Sequence, residues 1–334
     1  MMRKLLILLQ IFVISGCSNN AFEAYQTSTQ AIRNGEVASD AVYGSVVAIA
    51  VQHEDASYVY CSGVLIAENV VLTAAHCLSD DPVFPFTQFF KEGKIAVIAA
   101  ENAAQPPAER IFVPERYALH DEYRAELSAH DIGLIWLTEP VPGTIAKPTP
   151  LLTEKDAIWL IYQHQNPVTF VGYGLTEEDR DSMRLKTEGF VKKYCAVESK
   201  EACAESDSYG QHIIFSTGSL MHNIEKGGPC SGDSGGPVLA MHNDVAHVLA
   251  IVSAGDADCA DYAISTTVPD HYGWIYDTMY PSTESDDCSA LPMQNKTTKL
   301  PWMLVILTFV CFILRQGIRR RKSQNALGLA KPRT

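Results

Sequence analysis

The sequence predicts an all-β fold, and three observations carry that expectation. Short apolar runs recur between Ile32 and Tyr280, each bounded by turn signals. Only the end of that span has helical periodicity. Hydrophobic residues make up 47% of the 334 residues, enough to fill a sizeable core. Strands at this spacing fit a β-barrel or a sandwich.

The elements follow in order. YGSVVAIAV (43–51), GVLIAENVVLTAA (63–75), KIAVIAA (94–100), DIGLIWL (131–137) and PVTFVGYGL (167–175) read as strands of the first two-thirds. FVKKYC (190–195), HIIFSTG (212–218) and PVLAMHNDVAHVLAIVSAG (237–255) follow, the last with a hairpin tip at His242-Asn243-Asp244. VPGTIAKPTP near residues 140–155 reads as a linker. VPDHYGWIYDTMY (268–280) reads as the one helix, with Asp270 as its cap and Trp274, Ile275 and Met279 on one face. No internal repeat or long low-complexity tract is present.

Charge narrows the partners. The net charge is −13 and the pI is near 5.2. A nucleic-acid partner would need a basic face, so none is expected.

The two ends differ from the middle. Residues 1–17, MMRKLLILLQIFVISGC, pair a short basic region with an apolar run, the pattern of a secretory signal peptide. The terminal Ile14-Ser15-Gly16-Cys17 resembles the bacterial lipobox, which implies lipidation of Cys17. The other reading is an ordinary signal peptide cut after Ala21 or Ala24. At the far end, WMLVILTFVCFIL precedes RQGIRRRK. Thirteen residues give roughly 20 Å of helix, short of the roughly 30 Å hydrocarbon core. Residues 301–318 are therefore expected to be a transmembrane helix aided by snorkelling arginines, or a sorting helix clipped during export. A polar linker, 282–300, precedes this segment and a basic tail, 319–334, follows it.

The chemistry centres on GPCSGDSGGPV (228–238). Glycine at that density forces tight bends or close approaches, and Ser234 sits at their centre. A nucleophilic serine needs a base, a group to orient the base, and donors for the oxyanion. LTAAHC (72–77) offers His76 after a strongly apolar strand. HDIGLIWL offers Asp131 at the mouth of another, where a carboxylate can be buried and still reach an imidazole.

These segments, in the order His, Asp, Ser, resemble the trypsin/chymotrypsin family of serine proteases over about Ile32 to Tyr280. The resemblance implies two six-stranded antiparallel β-barrels with a C-terminal helix, spanning 32–281. It implies a crevice between the barrels holding nucleophile Ser234, base His76 and orienting Asp131. The backbone N–H groups of Gly232 and Ser234 would form the oxyanion hole. Cleavage after a propeptide, 18–31, would free the amine of Ile32 to pair with Asp233. Ala31 precedes that bond, so the unknown activating protease is not expected to be trypsin-like. An α/β-hydrolase is set aside because its chain order is Ser, acid, His.

The family pattern also implies disulfides Cys61–Cys77 and Cys230–Cys259. For the first, the placement of both cysteines at the ends of one hairpin in an exported chain agrees. Ser216 replaces a frequent family cysteine, which leaves Cys195 to pair with Cys203, while Cys288 is left over. The pocket floor is Gly228, with walls from Ser253, Gly255 and Ala263. An uncharged pocket implies a small or apolar residue before the cut bond, although Asp258 or Asp261 reaching inward would attract a basic one. No metal site or cofactor is expected, because no C-x-x-C pair or zinc constellation is visible. The expected activity is serine endopeptidase, on protein or peptide substrates, at a bacterial envelope and membrane-associated. The alternative is a catalytically silent protease-like binding module there.

Overall fold

The computed structural model describes residues 32, 35–39, 41–53, 56–81, 84–125, 129–174, 182–195, 212–216, 227–256, 259 and 261–281. All belong to the compact unit ending at Pro281. The signal peptide, lipobox, polar linker, C-terminal helix and basic tail expected from the sequence lie outside these residues. So do Cys17, Cys203, Asp258, Cys288 and the side chain of Cys195. Among the described residues no helix is long and apolar enough to cross a membrane.

Among the described residues, fourteen strands form two seven-stranded sheets. The first sheet uses β2 (Val46–His53), β3 (Ala56–Ala67), β4 (Val70–Thr73), β5 (Ile95–Ile98), β6 (Ile111–Phe112), β7 (Pro114–Leu119) and β8 (Gly133–Leu137). Their order is β6-β5-β2-β3-β4-β8-β7. The second uses β1 (Glu36–Val37), β9 (Val168–Gly172), β10 (Leu185–Cys195), β11 (His212–Ser216), β12 (Pro237–His242), β13 (Val245–Gly255) and β14 (Tyr262–Thr267). Their order is β1-β10-β11-β14-β13-β12-β9, and β10 also pairs with β9, which closes six of the strands into a barrel. Of the two six-stranded barrels expected, the second sheet forms one, with β1 added at its edge; the first sheet has seven strands, and among the described residues no pairing closes it. The additions, β1 and β6, are two residues long, too short to show a period in sequence.

Alternation explains why these segments pair as they do. β4, β5 and β8 are buried throughout and read as continuous apolar runs. β12 and β13 meet at Asn243 and Asp244, both with positive φ (50° and 61°). That is the backbone a two-residue hairpin needs, and Asn and Asp tolerate it.

Among the described residues three α-helices accompany the sheets: α1 (Phe86–Lys91), α2 (Lys155–His164) and α3 (Val268–Met279). The sequence reading expected only α3. In α2 the buried residues are Ala157, Ile158 and Ile161, a narrow stripe, while Trp159 and Leu160 are exposed. Apolar side chains on both faces obscure the helical period. In α3, Trp274, Ile275 and Met279 pack on the core, as expected. Its cap is Thr267 rather than Asp270. Asp270 sits inside the first turn and accepts hydrogen bonds from Thr267 Oγ1 (2.5 Å) and Tyr194 Oη (2.9 Å). Lys155 Nζ lies 2.7 Å from its other oxygen. A carboxylate there also suits the positive end of the helix dipole.

The core of the first sheet reaches onto the second, which also encloses a cluster of its own around Phe170, Val238 and Leu249. Val46, Leu72, Leu134 and Ile135 of the first pack in a cluster that includes Leu239, Val248 and Ile251 of the second. Tyr173, just past β9 and fully buried, donates its hydroxyl to the carbonyls of Val46 and Ala100 (3.0 and 2.5 Å). Burial pushes that phenol up to about 12, so it remains a donor.

Candidate active site

The imidazole of His76 is placed by what precedes it. β4 ends in Thr73, and the fully buried Ala74 and Ala75 lead into a 3-10 turn, His76–Leu78. Small side chains let this turn sit against the core. Asp131 enters from β8 and is 1% exposed. It holds His76 at two points: backbone N–H to Oδ1 at 2.8 Å, and Nδ1 to Oδ2 at 2.7 Å. Ser253 Oγ donates to the same Oδ2 at 2.5 Å. The sequence reading placed Ser253 in a pocket wall alone. A register shift between Val252 and Ala254 accompanies its position, and such bulges re-aim side chains.

These contacts set the charges. Burial pushes the Asp131 carboxyl up. The His76 charge and the hydrogen bonds from His76 and Ser253 outweigh burial and hold it below the usual carboxylate range. Burial pushes His76 down, but the Asp131 carboxylate overcomes this and raises its pKa above 6.5. The imidazole ring remains 34% exposed.

Ser234 lies on the turn before β12, and the other sheet anchors that turn. The Ser62 N–H of β3 donates to the Ser234 carbonyl at 2.8 Å. Ser62 Oγ donates to the Gly232 carbonyl and accepts from the Tyr173 N–H, both at 2.9 Å. Thr73 Oγ1 donates to the Ser62 carbonyl at 2.8 Å. Gly232 has φ +90°, a conformation that fits glycine and directs its peptide inside the bend. Ser62 escaped the sequence reading because its partners are 170 and 111 residues away, and nothing local in CSGVLI marks it.

Asp233 is 1% exposed. Its carboxylate accepts from the Gly174 N–H at 2.8 Å and the Cys230 N–H at 2.9 Å. The Ile32 backbone N–H also hydrogen-bonds to it, and Ile32 itself is 2% exposed. A Cβ at Gly172 would fall on this carboxylate, and one at Gly174 would lie 2.7 Å from it. The GYG motif therefore makes the seat for Asp233. Burial outweighs the three N–H donors and pushes the carboxyl up to about 7.

Two disulfides are present among the described residues, Cys61–Cys77 and Cys230–Cys259. The first lies beside the site, with Cys77 Sγ 3.6 Å from the Ser234 carbonyl. Cys61 sits within β3 rather than at a hairpin end, because β3 extends five residues before it. In the expected pocket, Gly255 pairs with the buried Ala263. The Pro229 carbonyl, next to buried Gly228, lies 3.7 Å from where a Gly255 Cβ would stand. Asp261 is exposed, and its N–H donates to Asp256.

Residues 32–275 match the trypsin family. The chain belongs to that family. It carries a trypsin-like serine protease domain over those residues. Coagulation factor XII of Sus scrofa is 26% identical over 254 residues, covering 70% of this chain and 39% of that protein. This chain thus spans less than half the length of that relative. Lectizyme of Glossina austeni is 26% identical over 220 residues, covering 64% of this chain and 73% of that protein.

Proposed function

We propose that the protein is a serine endopeptidase working through His76, Asp131 and Ser234. The observation that carries this reading is the two-point docking of His76 on buried Asp131, beside the anchored turn that holds Ser234. In the proposed reaction the Ser234 hydroxyl attacks the scissile carbonyl carbon and passes its proton to His76 Nε2. The N–H groups of Gly232 and Ser234 receive the oxyanion. His76 then returns the proton to the departing amine, leaving an acyl-enzyme. Water attacks the ester by the same route, releasing the acid and restoring Ser234. Asp131 keeps the proton on Nδ1 and stabilises the imidazolium.

The proposed active form begins at Ile32. Support comes from the seat already described, where buried Ile32 reaches Asp233. Cleavage after Ala31 would replace a neutral amide by a cationic amine in contact with that carboxylate. The proposed pocket, floored by Gly228, takes a small or apolar residue. A peptide panel checks this: cleavage after Ala, Leu or Phe is expected, and cleavage after Arg alone overturns it. Export to a bacterial envelope, through residues 1–17 and with residues 301–318 as anchor or sorting signal, completes the proposal.

The test is covalent labelling of the processed protein with a fluorophosphonate. Stoichiometric adduct on Ser234, lost in Ser234→Ala and His76→Ala, is the expected result. A processed, folded protein that takes no label and cleaves nothing is a binding module instead.

A further inference from the structure

Three histidines outside the proposed catalytic group come together where β7, the approach to β8, and α3 meet. We propose that His120, His130 and His271 bind a divalent transition-metal ion of the zinc class, stapling α3 to the turn that carries Asp131. Each ring offers a nitrogen within 4.8 Å of the other two. His130 Nδ1 and His271 Nε2 are already 3.1 Å apart. Two nitrogens on a tetrahedral zinc, each at about 2.0–2.1 Å, stand roughly 3.4 Å apart. Two of the three ligands thus have the spacing a metal requires. The His120 ring stacks on His130 with centroids 4.8 Å apart, so it must turn about its side-chain bonds to aim a nitrogen at the ion.

The proton positions agree. His271 is 1% exposed, and its Nδ1 donates to the Thr267 carbonyl at 2.6 Å. That fixes its lone pair on Nε2, facing the cluster, in the arrangement that orients ligating histidines. Behind His130, Glu122 Oε2 lies 3.7 Å from Nε2. Without an ion, His130 Nδ1–H donates to His271 Nε2; binding moves that proton to Nε2, on the Glu122 side, and leaves Nδ1 to the metal. His120 Nδ1 accepts the Glu122 N–H at 3.1 Å, a bond at an exposed turn that water can replace. Burial lowers the pKa of all three rings, His271 to about 4, which favours the neutral form that a metal ligand needs. Three protein ligands leave the fourth position to water.

The staple has a structural purpose. His271 lies in the first turn of α3, and His130 directly precedes Asp131 with a left-handed φ of 50°. An ion here would tie the C-terminal helix of the domain to the segment that positions Asp131.

The experiment uses the full-length Ser234→Ala protein, stripped with a chelator and dialysed against micromolar zinc or cobalt(II). One equivalent is expected, with a rise in Tm and with the intense visible bands of tetrahedral cobalt. His120→Gln, half-buried and safe for folding, should weaken affinity more than about 10-fold. The double variant His120→Gln/His130→Gln should abolish the bands. The readout is metal uptake, so it stands whether or not the protease proposal holds. Folded protein that takes up no metal overturns the site. So does uptake unchanged in the double variant but lost in His76→Ala, which would put the ion on the catalytic histidine.

Discussion

At the scale of single residues, Asp131 does most to set the proposed chemistry. It is buried, and three donors converge on its two oxygens. Its charge lifts His76 above 6.5 against the pull of burial. A general base acts when neutral, so activity should rise with pH through that raised value. The expected kcat/KM profile has its acidic half-maximum above pH 6.5, measured on a neutral substrate. Asp131→Asn removes the charge and lets burial dominate. It should lower kcat by about 10⁴-fold while leaving KM nearly unchanged. A profile with its acidic limb below pH 6 would contradict the assignment of His76 as base.

At the scale of elements, the turn that carries Ser234 depends on the sheet it does not belong to. Ser62 of β3 grips the backbone of Gly232 and Ser234. Apolar runs foretold β3 and β12 separately, but not the hydrogen bonds between them, which depend on how the sheets pack. A second junction is Asp270 of α3, which collects Thr267, Tyr194 of β10 and Lys155 of α2. Asp270→Ala removes the carboxylate that Tyr194, Thr267 and Lys155 all contact. Loss of roughly 1–3 kcal/mol is expected from urea unfolding. Gly172→Ala acts differently, by overpacking: its Cβ meets the Asp233 carboxylate. A loss of about 1–3 kcal/mol is expected by the same measurement.

At the scale of the whole molecule, the proposed cleavage before Ile32 would couple processing to stability through the Asp233 seat. With Ile32 in an intact chain, the carboxyl has its pKa raised from 3.8 to about 7. The folded state then binds a proton more tightly than the unfolded state. Stability from this group is therefore full below about pH 4 and declines as pH rises towards 7. A cationic Ile32 amine reverses the sign by favouring the carboxylate. The Tm of the chain cleaved before Ile32 should exceed that of the uncut chain at pH 7, and the gap should narrow at pH 4. Scanning calorimetry on both forms, with the new N-terminus sequenced, checks this. An equal Tm at pH 7, or an active form with another N-terminus, overturns the activation scheme.

The sequence by itself determined the all-β class, the longer strands, the hairpin at Asn243-Asp244, the face of α3 and the segments carrying His76, Asp131 and Ser234, while the two disulfides followed from the family resemblance. These are legible because apolar period, turn chemistry and dense glycine motifs are local properties of the chain. Tertiary structure alone decided the closure of the second sheet, the helix α2, the aim of Ser253 at Asp131 and the grip of Ser62 on the serine turn. It alone gathered His120, His130 and His271, which no spacing in the chain connects. Each of these depends on contacts between residues far apart in sequence, and such contacts exist only once the two sheets have packed.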